Sequence, residues 1–268
     1  MARIPQDYHL HSHHSFDSQQ SIDDVCRRAL ELGINEIAIT DHADFVPEDK
    51  STGYYQPDRY FEELERCRDA YAGQLVLRSG VEIGEPHRYP SETQDLLSRH
   101  PYDFVIGSLH WVGDEPILSN EYFNGKTVEQ AYQAYFTELL EMVKVADFDI
   151  LGHVDVGKRY GFDVFGFYDV SPFEEELREI YRVLIERNKG IEINHGSLRR
   201  AVNEPAPNSI ALAWYRDMGG EVLTLGSDGH RANGVGLCLA EAVSMAKAAG
   251  FSQLAGYERR ERFNLQLP

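Results

Sequence analysis

One stretch near the start of the chain reads Gln6-Asp7-Tyr8-His9-Leu10-His11, and Asp17 follows it after a short polar turn. The stretch is typical of a β-strand, on which alternate side chains point to the same side. His9 and His11 therefore project together near the end of the predicted strand, and the turn can fold Asp17 back toward both imidazoles. The stretch predicts the beginning of a metal site at a strand end.

The same design recurs along the chain, where apolar runs end in side chains that can bind a metal. These runs lead to His42, Glu82, His110, His153 and the pair Asp228 and His230. A single His or Glu after a strand is usually a surface or hydrogen-bonded residue. Chance does not readily place imidazole or carboxylate groups at six strand ends, so the set predicts one shared site.

Nine side chains are candidate metal ligands: His9, His11, Asp17, His42, Glu82, His110, His153, Asp228 and His230. Nine ligands are too many for one tetrahedral ion, but they suit two or three open sites that share a bridging carboxylate. Imidazole and carboxylate ligands suit zinc, manganese and iron alike. We therefore expect two to three divalent transition metal ions, each of which could be Zn, Mn or Fe.

The size and charge of the chain limit the class of protein. Its 268 residues are 42% hydrophobic, which is enough for one sizeable core, and we expect a single domain over 1–268. No apolar run approaches the roughly 20 residues that cross a bilayer, and the first residues lack signal-peptide features, so a cytoplasmic enzyme is expected. The formal net charge of −18 disfavours nucleic acid and anionic membranes as partners, because both attract basic surfaces.

Seven predicted strands alternate with seven predicted helices. The strands are 6–10, 36–41, 75–81, 103–109, 149–153, 190–194 and 221–226. The helices are 21–33, 58–72, 91–100, 127–146, 172–189, 207–219 and 236–249. Such alternation implies an α/β fold with parallel strands and right-handed crossovers. It favours a distorted (β/α)7 barrel with the active site at the C-terminal ends of the strands; a doubly wound sheet is the alternative, with its site at the same ends.

The ordered motifs resemble those of the polymerase and histidinol phosphatase (PHP) family along nearly the whole chain. The motifs that carry this resemblance are His9-Leu10-His11, Thr40-Asp41-His42, Gly80-Val81-Glu82, Gly107-Ser108-Leu109-His110, Gly152-His153-Val154-Asp155 and Ser227-Asp228-Gly229-His230. Two further segments look like the monofunctional histidinol-phosphatase branch of the family: Lys158-Arg159-Tyr160-Gly161, and Glu192-Ile193-Asn194 with Ser197-Leu198-Arg199-Arg200 after it.

The resemblance implies a trinuclear site in a distorted seven-unit barrel. The implied division of ligands is His9, His11, Glu82 and Asp228 for the first ion, Glu82, His110 and His153 for the second, and Asp17, His42 and His230 for the third. Glu82 would bridge two ions, and Glu82 and Asp228 would take part in catalysis by holding them. Asp17 stands where some relatives have histidine, which changes the charge of the third site.

Basic residues close to the predicted strand ends are candidates for substrate binding. Arg159 and Arg199 each follow a strand end, where a guanidinium can hold phosphate through two hydrogen bonds. The resemblance favours this role over a surface ion pair, and Lys158 and Arg200 are neighbours with the same possible role. His195 follows the sixth strand and could donate a proton to the leaving oxygen. A structural histidine or a substrate contact fits His195 equally well.

The residues and the resemblance together predict a metal-dependent phosphomonoesterase that converts L-histidinol phosphate to L-histidinol and phosphate in histidine biosynthesis. Three divalent ions and three carboxylates leave about three positive charges, which form an anion trap inside an acidic protein. Water shared between two ions can be a hydroxide near neutral pH and attack the phosphoryl group. A cationic amino-imidazole substrate favours acidic or aromatic walls, for which Trp111 and Glu115 in the loop 111–126 are candidates.

Two other functions stay open at this point. Another PHP-type hydrolase could act on phosphotyrosine, a cyclic phosphodiester or a nucleic-acid end, although the acidic charge disfavours nucleic acid. A non-catalytic metal-binding module predicts missing ligands, whereas all nine positions are filled in this chain. A small-molecule phosphate ester is therefore the expected partner.

Overall fold

The computed structural model describes residues 4–268. The strands are β1 (Ile4–Leu10), β2 (Ile34–Ile39), β3 (His42–Ala43), β4 (Val76–Gly84), β5 (Phe104–Ser108), β6 (Trp111–Val112), β7 (Glu115–Pro116), β8 (Ile150–Leu151), β9 (Gly190–Asn194), β10 (Leu223–Gly226), β11 (Gln253–Glu258) and β12 (Glu261–Gln266). The helices are α1 (Ile22–Leu32), α2 (Pro57–Ala70), α3 (Pro90–Arg99), α4 (Asn120–Phe123), α5 (Val128–Val145), α6 (Lys158–Phe165), α7 (Glu174–Glu186), α8 (Ser209–Asp217) and α9 (Leu239–Ala248).

Seven parallel strands form a nearly closed barrel, in the order β1-β2-β4-β5-β8-β9-β10. Strand β3 adds a short second pairing to β4. The ring closes between β1 and the residues after β10, where the Asp228 N–H donates to the His9 carbonyl at 2.8 Å. The His11 N–H likewise donates to the Gly229 carbonyl, at 3.1 Å. The expected distorted (β/α)7 barrel is confirmed, and the doubly wound alternative is wrong.

Helix ends follow the local chemistry of the sequence. Ser21 caps α1 by accepting a hydrogen bond from the Asp24 N–H, and the Asp24 carboxylate accepts one from the Ser21 N–H in return. The same helix ends at Gly33, whose φ of 70° lies in the left-handed region that favours glycine. Thr127 caps α5 by the same reciprocal arrangement with Gln130. These caps fix where each helix leaves the barrel.

The larger apolar core lies between the barrel and the helices around it. Ile37 and Ile39 of β2 are fully buried and belong to one cluster with Val25 and Ala29 of α1. Leu139 of α5 joins the same cluster with about 1% of its surface exposed. Burying each large aliphatic side chain contributes roughly 1.5–3 kcal/mol. The helices therefore hold the strands in register, and the register sets where the strand ends lie.

A C-terminal hairpin that the sequence did not predict, β11–β12, covers the N-terminal end of the barrel. The Tyr257 N–H donates to the Tyr8 hydroxyl at 3.2 Å, and Arg260 pairs with Asp149 at 3.0 Å. The hairpin adds two residues to a separate apolar cluster made of Tyr8, Ala38, Phe104, Ile106, Ile150, Val222, Ala255 and Tyr257. This end of the barrel is therefore closed, and a substrate has to enter from the other end.

Among residues 4–268, no helix combines the length and the apolar character that a membrane span requires. Residues 1–3 of the predicted domain lie outside the described residues. The boundary of one domain over 1–268 stays a prediction.

Candidate metal centre and active site

The structure brings the predicted ligands together at the C-terminal ends of the strands. His9 is the next-to-last residue of β1, and Glu82 lies in β4. His42 in β3 pairs in register with Glu82, so the short strand places this imidazole beside the carboxylate. His110 and His153 come two residues after β5 and β8. Parallel strands thus deliver side chains that are distant in sequence to one edge of the barrel.

Glu82 is fully buried at the centre of this group. Its Oε1 lies 2.9 Å from His153 Nε2 and 3.4 Å from His110 Nε2. Its Oε2 lies 3.0 Å from His9 Nε2 and 3.1 Å from His42 Nδ1. The two oxygens of one carboxylate therefore face different pairs of imidazoles. This is the arrangement that a carboxylate bridging two ions requires.

Asp228 is a second buried carboxylate close to His9 and His11. Its Oδ1 is 3.5 Å from His11 Nε2 and 3.4 Å from His230 Nδ1. Its φ of 56° is in the left-handed region, which costs a residue other than glycine of order 1–3 kcal/mol. The backbone bond between Asp228 and His9 described above holds this conformation. Strain of this kind is typical of functional positions.

Asp17 completes the group at its outer edge. Its Oδ2 is 3.0 Å from His230 Nε2 and 3.8 Å from His42 Nε2. The His11 ring stacks on the rings of His42 and His230, with centroids 4.4 and 4.0 Å away. Asp17 is half-exposed, unlike the buried Glu82 and Asp228, so it lies where the site meets solvent.

Four sets of three side chains have donor atoms that all lie within 4.8 Å of one another in this site. The sets are His9, His11 and Asp228; His9, Glu82 and His153; His42, Glu82 and His110; and His11, His42 and His230. The sets contain eight of the nine predicted ligands, and the ninth, Asp17, joins them through His230 at 3.0 Å. The grouping differs in part from the one that the resemblance implies. His42 groups with Glu82 and His110 as well as with His230, because β3 is paired directly to β4.

The donor atoms fit divalent metal ions. Within residues 4–268, His11 Nε2 and His42 Nδ1 are buried and have no partner with hydrogen-bond geometry, although His42 Nδ1 lies 3.1 Å from Glu82 Oε2. Buried polar atoms are nearly always bonded, so two such nitrogens beside Glu82 and Asp228 indicate positions that a cation would satisfy. Burial, followed by the neighbouring imidazoles of His230 and His42, lowers the pKa of His11. His11 is therefore neutral, as a metal ligand has to be.

Residues behind the ligands fix their orientation. His9 Nδ1 lies 3.0 Å from both carboxylate oxygens of Glu192, and His11 Nδ1 lies 3.1 Å from Ser15 Oγ. The hydroxyl of Ser108 donates to Glu82 Oε1 at 2.6 Å. Such partners select the ring nitrogen that faces the metal. Glu192 had no predicted role, although Glu192 and Asn194 are two polar side chains on the same face of β9.

The electrostatics of Glu82 reflect this crowding. Burial acts to raise the pKa of Glu82, but the surrounding imidazoles, His9 first, outweigh burial and hold that pKa well below its usual range. Glu82 is therefore a carboxylate, and both of its oxygens are available as ligands. The same holds for Asp228, where the Arg159 guanidinium contributes most against burial.

A cavity of about 590 Å³ opens beside the ligands. Arginines and a tyrosine form much of its opposite wall: Arg159, Tyr160, Arg199, Arg200 and Arg231. The protein is strongly acidic as a whole, so four guanidinium groups around one cavity concentrate positive charge locally. Arg231 was not among the predicted site residues, although Arg231 directly follows the predicted ligand His230.

The two arginines predicted to bind phosphate both border this cavity. Arg159 Nη2 donates to Asp228 Oδ2 at 2.6 Å, and Arg159 Nε donates to Ser197 Oγ at 2.9 Å. Arg199 donates to the carbonyls of Ser227 and Asp228 at 2.9 and 2.5 Å. Both guanidinium groups are therefore anchored to the segment that carries Asp228. Arg200 also borders the cavity and lies over the Tyr160 ring.

Three predicted site residues lie elsewhere in the structure. Lys158 is fully buried, and its Nζ donates to Asp155 Oδ2 at 2.8 Å and to the Pro205 carbonyl at 2.6 Å, so it serves an internal ion pair. Glu115 is largely exposed and pairs with Lys126 at 2.9 Å, away from the cavities.

His195 is the third predicted site residue that lies elsewhere. It is buried but does not line the cavity, and its backbone N–H donates to the Gly226 carbonyl. Burial lowers the pKa of His195 to about 4. A neutral imidazole outside the cavity is a poor proton donor to a substrate, so the structure does not support the predicted role of general acid.

A smaller cavity of about 170 Å³ adjoins the first and shares His42 and His110 with it. Asp44, Asp49 and Trp111 line this side cavity, and the role of Trp111 in binding substrate stays a prediction. The Trp111 Nε1–H donates to Asp49 Oδ2 at 2.8 Å. Burial acts to raise the pKa of Asp49, but hydrogen bonds from Ser51 and Trp111 outweigh burial and hold that pKa below its usual value. The side cavity is therefore aromatic and anionic.

The fold and the site define a metal-binding α/β barrel protein of the hydrolase type, and comparison with known proteins identifies its family. A family model described as the PHP domain matches residues 7–196. The chain therefore belongs to the PHP domain family, as the sequence motifs predicted.

Relatives of known name match nearly the whole chain. A histidinol-phosphatase from Lactococcus lactis is 31% identical over 256 residues, which cover 94% of this chain and 93% of that protein. A "Probable histidinol-phosphatase" from Clostridium acetobutylicum is 26% identical over 243 residues, which cover 90% and 92%. The crystal structure of the histidinol phosphate phosphatase from Lactococcus lactis, complexed with zinc, L-histidinol and phosphate, matches with a TM-score of 0.90 and 30% identity, and covers 98% of this chain and 100% of that chain.

Proposed function

We propose that this protein is a metal-dependent histidinol-phosphatase, which hydrolyses L-histidinol phosphate to L-histidinol and phosphate as a step of histidine biosynthesis. Its cofactors are two to three divalent transition metal ions (Zn, Mn or Fe), held in a single domain over 1–268. One observation carries the proposal: the carboxylate of Glu82 lies between two pairs of imidazoles, and an arginine-lined cavity opens beside it. The zinc, L-histidinol and phosphate in the Lactococcus lactis structure support it.

Different groups of the nine ligands would hold different ions. His9, His11 and Asp228 would hold one ion and Glu82 would link it to a second, while Asp17 and His230 lie at the entrance. When bound there, divalent ions would supply a hydroxide at neutral pH and would neutralise charge on the phosphoryl oxygens. The protein therefore needs no nucleophilic serine or cysteine for this hydrolysis.

The arginines position the phosphate group. Arg159 and Arg199 border the cavity and are already fixed by hydrogen bonds to Asp228 and its backbone. Because these guanidinium groups are ordered before substrate binds, less entropy is lost when they bind phosphate. Their positive charge also stabilises the negative charge that develops on the phosphoryl oxygens in the transition state.

The side cavity favours histidinol phosphate over other phosphate esters. L-Histidinol carries an amino group and an imidazole, both of which can be cationic, and the side cavity offers the carboxylates of Asp44 and Asp49 next to Trp111. A cation gains from such carboxylates and from the face of an aromatic ring. A phosphotyrosine side chain has a neutral ring and gains nothing from the two carboxylates, so that alternative is disfavoured.

A phosphate-release assay tests the proposal directly. Purified protein is given histidinol phosphate, phosphotyrosine, a cyclic phosphodiester and a short DNA in parallel. We expect kcat/KM for histidinol phosphate to exceed each of the others by at least ~100-fold, since buried polar groups reject substrates that leave them unpaired. Asp49→Asn should raise KM for histidinol phosphate only. A preference for phosphotyrosine would overturn the choice of substrate.

A further inference from the structure

A second cluster of metal-binding side chains lies apart from the catalytic cavity. His13 and His14, in the turn between β1 and α1, meet Glu63 of α2. Their donor atoms all lie within 4.8 Å of one another. None of the three lines the catalytic cavity or the side cavity, and the nine catalytic ligands do not include them.

The distances in this cluster fit a tetrahedral ion. The Nε2 atoms of His13 and His14 lie 3.2 and 3.0 Å from the same oxygen, Oε2 of Glu63. Zinc binds nitrogen and oxygen at about 2.0–2.2 Å, which separates neighbouring donors of a tetrahedron by roughly 3.3–3.6 Å. The two distances to Glu63 Oε2 are within a few tenths of an ångström of this separation, and the two imidazole donors lie within 4.8 Å of each other.

A simple ion pair does not explain the arrangement. His14 makes a hydrogen bond to Glu63 Oε2, whereas His13 approaches the same atom without the alignment of a hydrogen bond. The other oxygen of Glu63 is occupied separately: Oε1 accepts from the Ile22 N–H at 3.2 Å and lies 3.6 Å from Arg66. Glu63 is thus held so that Oε2 alone faces the imidazoles, as outer partners orient a metal-binding carboxylate.

We infer that His13, His14 and Glu63 form a further binding site for a divalent transition metal ion of the zinc class. Two imidazoles and one carboxylate are a set that zinc favours, and His13 is 44% exposed, which leaves room for water as the fourth ligand. The inference goes beyond the proposed function, because none of these side chains lines the catalytic cavity or belongs to the nine predicted ligands.

An ion bound at His13, His14 and Glu63 would restrain a turn that also contributes to the active site. The turn that carries His13 and His14 also carries Ser15, which contacts His11, and the outer ligand Asp17. At present the turn is closed by the backbone bond from the His13 N–H to the Gln20 carbonyl, at 2.7 Å. An ion bound to Glu63 would tie the same turn to α2 and restrain Asp17.

Zinc stoichiometry tests the inference. Metal-loaded wild type, His13→Ala, Glu63→Gln and a control, His100→Gln, are equilibrated with buffered zinc over the micromolar range, and bound metal per chain is measured. His100 pairs with only one carboxylate, Asp58 at 2.7 Å, so its loss removes an imidazole without removing a three-donor set. We expect wild type and the control to bind one more zinc ion per chain than His13→Ala and Glu63→Gln.

Equal stoichiometry in all four proteins would overturn the inference. Both variants are expected to fold, because His13 is exposed and glutamine keeps the carbonyl oxygen that accepts from Ile22. Hydrogen exchange gives a second readout that does not depend on activity. Added zinc should slow exchange of the amides in 12–20 in wild type and in the control, and should leave exchange unchanged in Glu63→Gln. Slowing in Glu63→Gln equal to that in wild type would contradict the site.

Discussion

The two ends of the barrel are built from the same strands but in opposite ways. At the N-terminal end, charged groups are paired: Arg260 with Asp149 at 3.0 Å, and Arg78 with Glu36 at 2.7 Å, around an apolar cluster. At the C-terminal end, imidazoles and carboxylates converge, two buried nitrogens lack partners among the described residues, and Asp228 adopts a left-handed conformation.

The two ends show how stability and function are divided in this fold. Paired charges and apolar contacts at the closed end stabilise the barrel without any ligand. The C-terminal end, here called the crowded end, lowers the stability of the folded protein unless cations neutralise its charges. The reason is that buried charges and unpaired polar atoms destabilise a protein. Substitutions at the closed end should therefore change stability, and substitutions at the crowded end should change metal binding and catalysis.

The same substitution at the two ends gives the sharpest contrast. Glu82→Gln keeps the size of the side chain but removes a charge shared by two ions, so kcat should fall by at least ~100-fold and metal content should drop. Glu36 is also buried, and it binds Tyr8 and Arg78 at the closed end. Glu36→Gln should lower stability by about 1–3 kcal/mol and leave kcat unchanged. Near-normal kcat in Glu82→Gln would show that Glu82 is not a bridging ligand.

The arginines at the crowded end should affect substrate more than folding. Arg159→Ala and Arg199→Ala should each lower kcat/KM by ~10- to 1000-fold, with only partial rescue by lysine, which lacks the planar fork. Inhibition by free phosphate should weaken in parallel. Metal content should stay unchanged in Arg199→Ala, whereas Arg159→Ala also removes the 2.6 Å bond to the ligand Asp228 and can weaken metal binding. Wild-type kinetics in both variants would make the arginines structural residues.

At the closed end, Tyr257→Ala should change stability alone. Tyr257 is buried, and its ring centroid lies 5.1 Å from that of Phe104 inside the barrel. Truncating a buried aromatic side chain costs about 3–5 kcal/mol, which denaturant unfolding of the metal-loaded protein would measure. Assayed where the variant is folded, kcat should equal that of wild type. A large loss of kcat under those conditions would contradict the division between the two ends.

A smaller effect is expected from His195, and it depends on pH. The pKa of His195 is lowered from 6.5 to about 4 in the folded protein because the ring is buried. The unfolded chain therefore binds a proton that the folded protein does not as pH falls from 6.5 toward 4, and stability is lost over that window. His195→Gln should remove up to roughly 3 kcal/mol of this loss. Unfolding free energies of the two proteins across that window check it.

The same variant also tests catalysis. With the His195 ring outside the cavity, kcat of His195→Gln should stay within a few-fold of wild type. A loss of ~100-fold or more would restore the role of general acid that the sequence suggested.

The sequence predicted where the candidate ligands converge because their position follows from topology. Once strands alternate with helices and run parallel, side chains at the strand ends have to meet at one edge. The grouping of His42 depended on β3, a two-residue strand that carries no pattern of its own. Lys158 and Arg159 are neighbours in sequence, but they open α6, where successive side chains point about 100° apart. Arg159 therefore lines the cavity, while Lys158 faces Asp155.

The closing hairpin was missed for a specific physical reason. Residues 262–266 alternate between polar and apolar side chains as a strand does, but the turn before the strand lacks the glycine or asparagine that marks a hairpin. The turn is made by Arg259 and Arg260, which both take positive φ, 50° and 64°. Contacts of Arg260 with Asp147 and Asp149 compensate for this conformation, and they are visible only in the folded protein.

The most direct test of a metal-dependent phosphatase is elemental analysis of the purified protein combined with hydrolysis of histidinol phosphate before and after chelation. We expect about two to three transition metal ions per chain at the catalytic site, besides any ion at His13, His14 and Glu63. Exhaustive chelation should abolish hydrolysis, and added zinc or manganese should restore it. Metal-free protein that hydrolyses histidinol phosphate at the full rate would contradict the account.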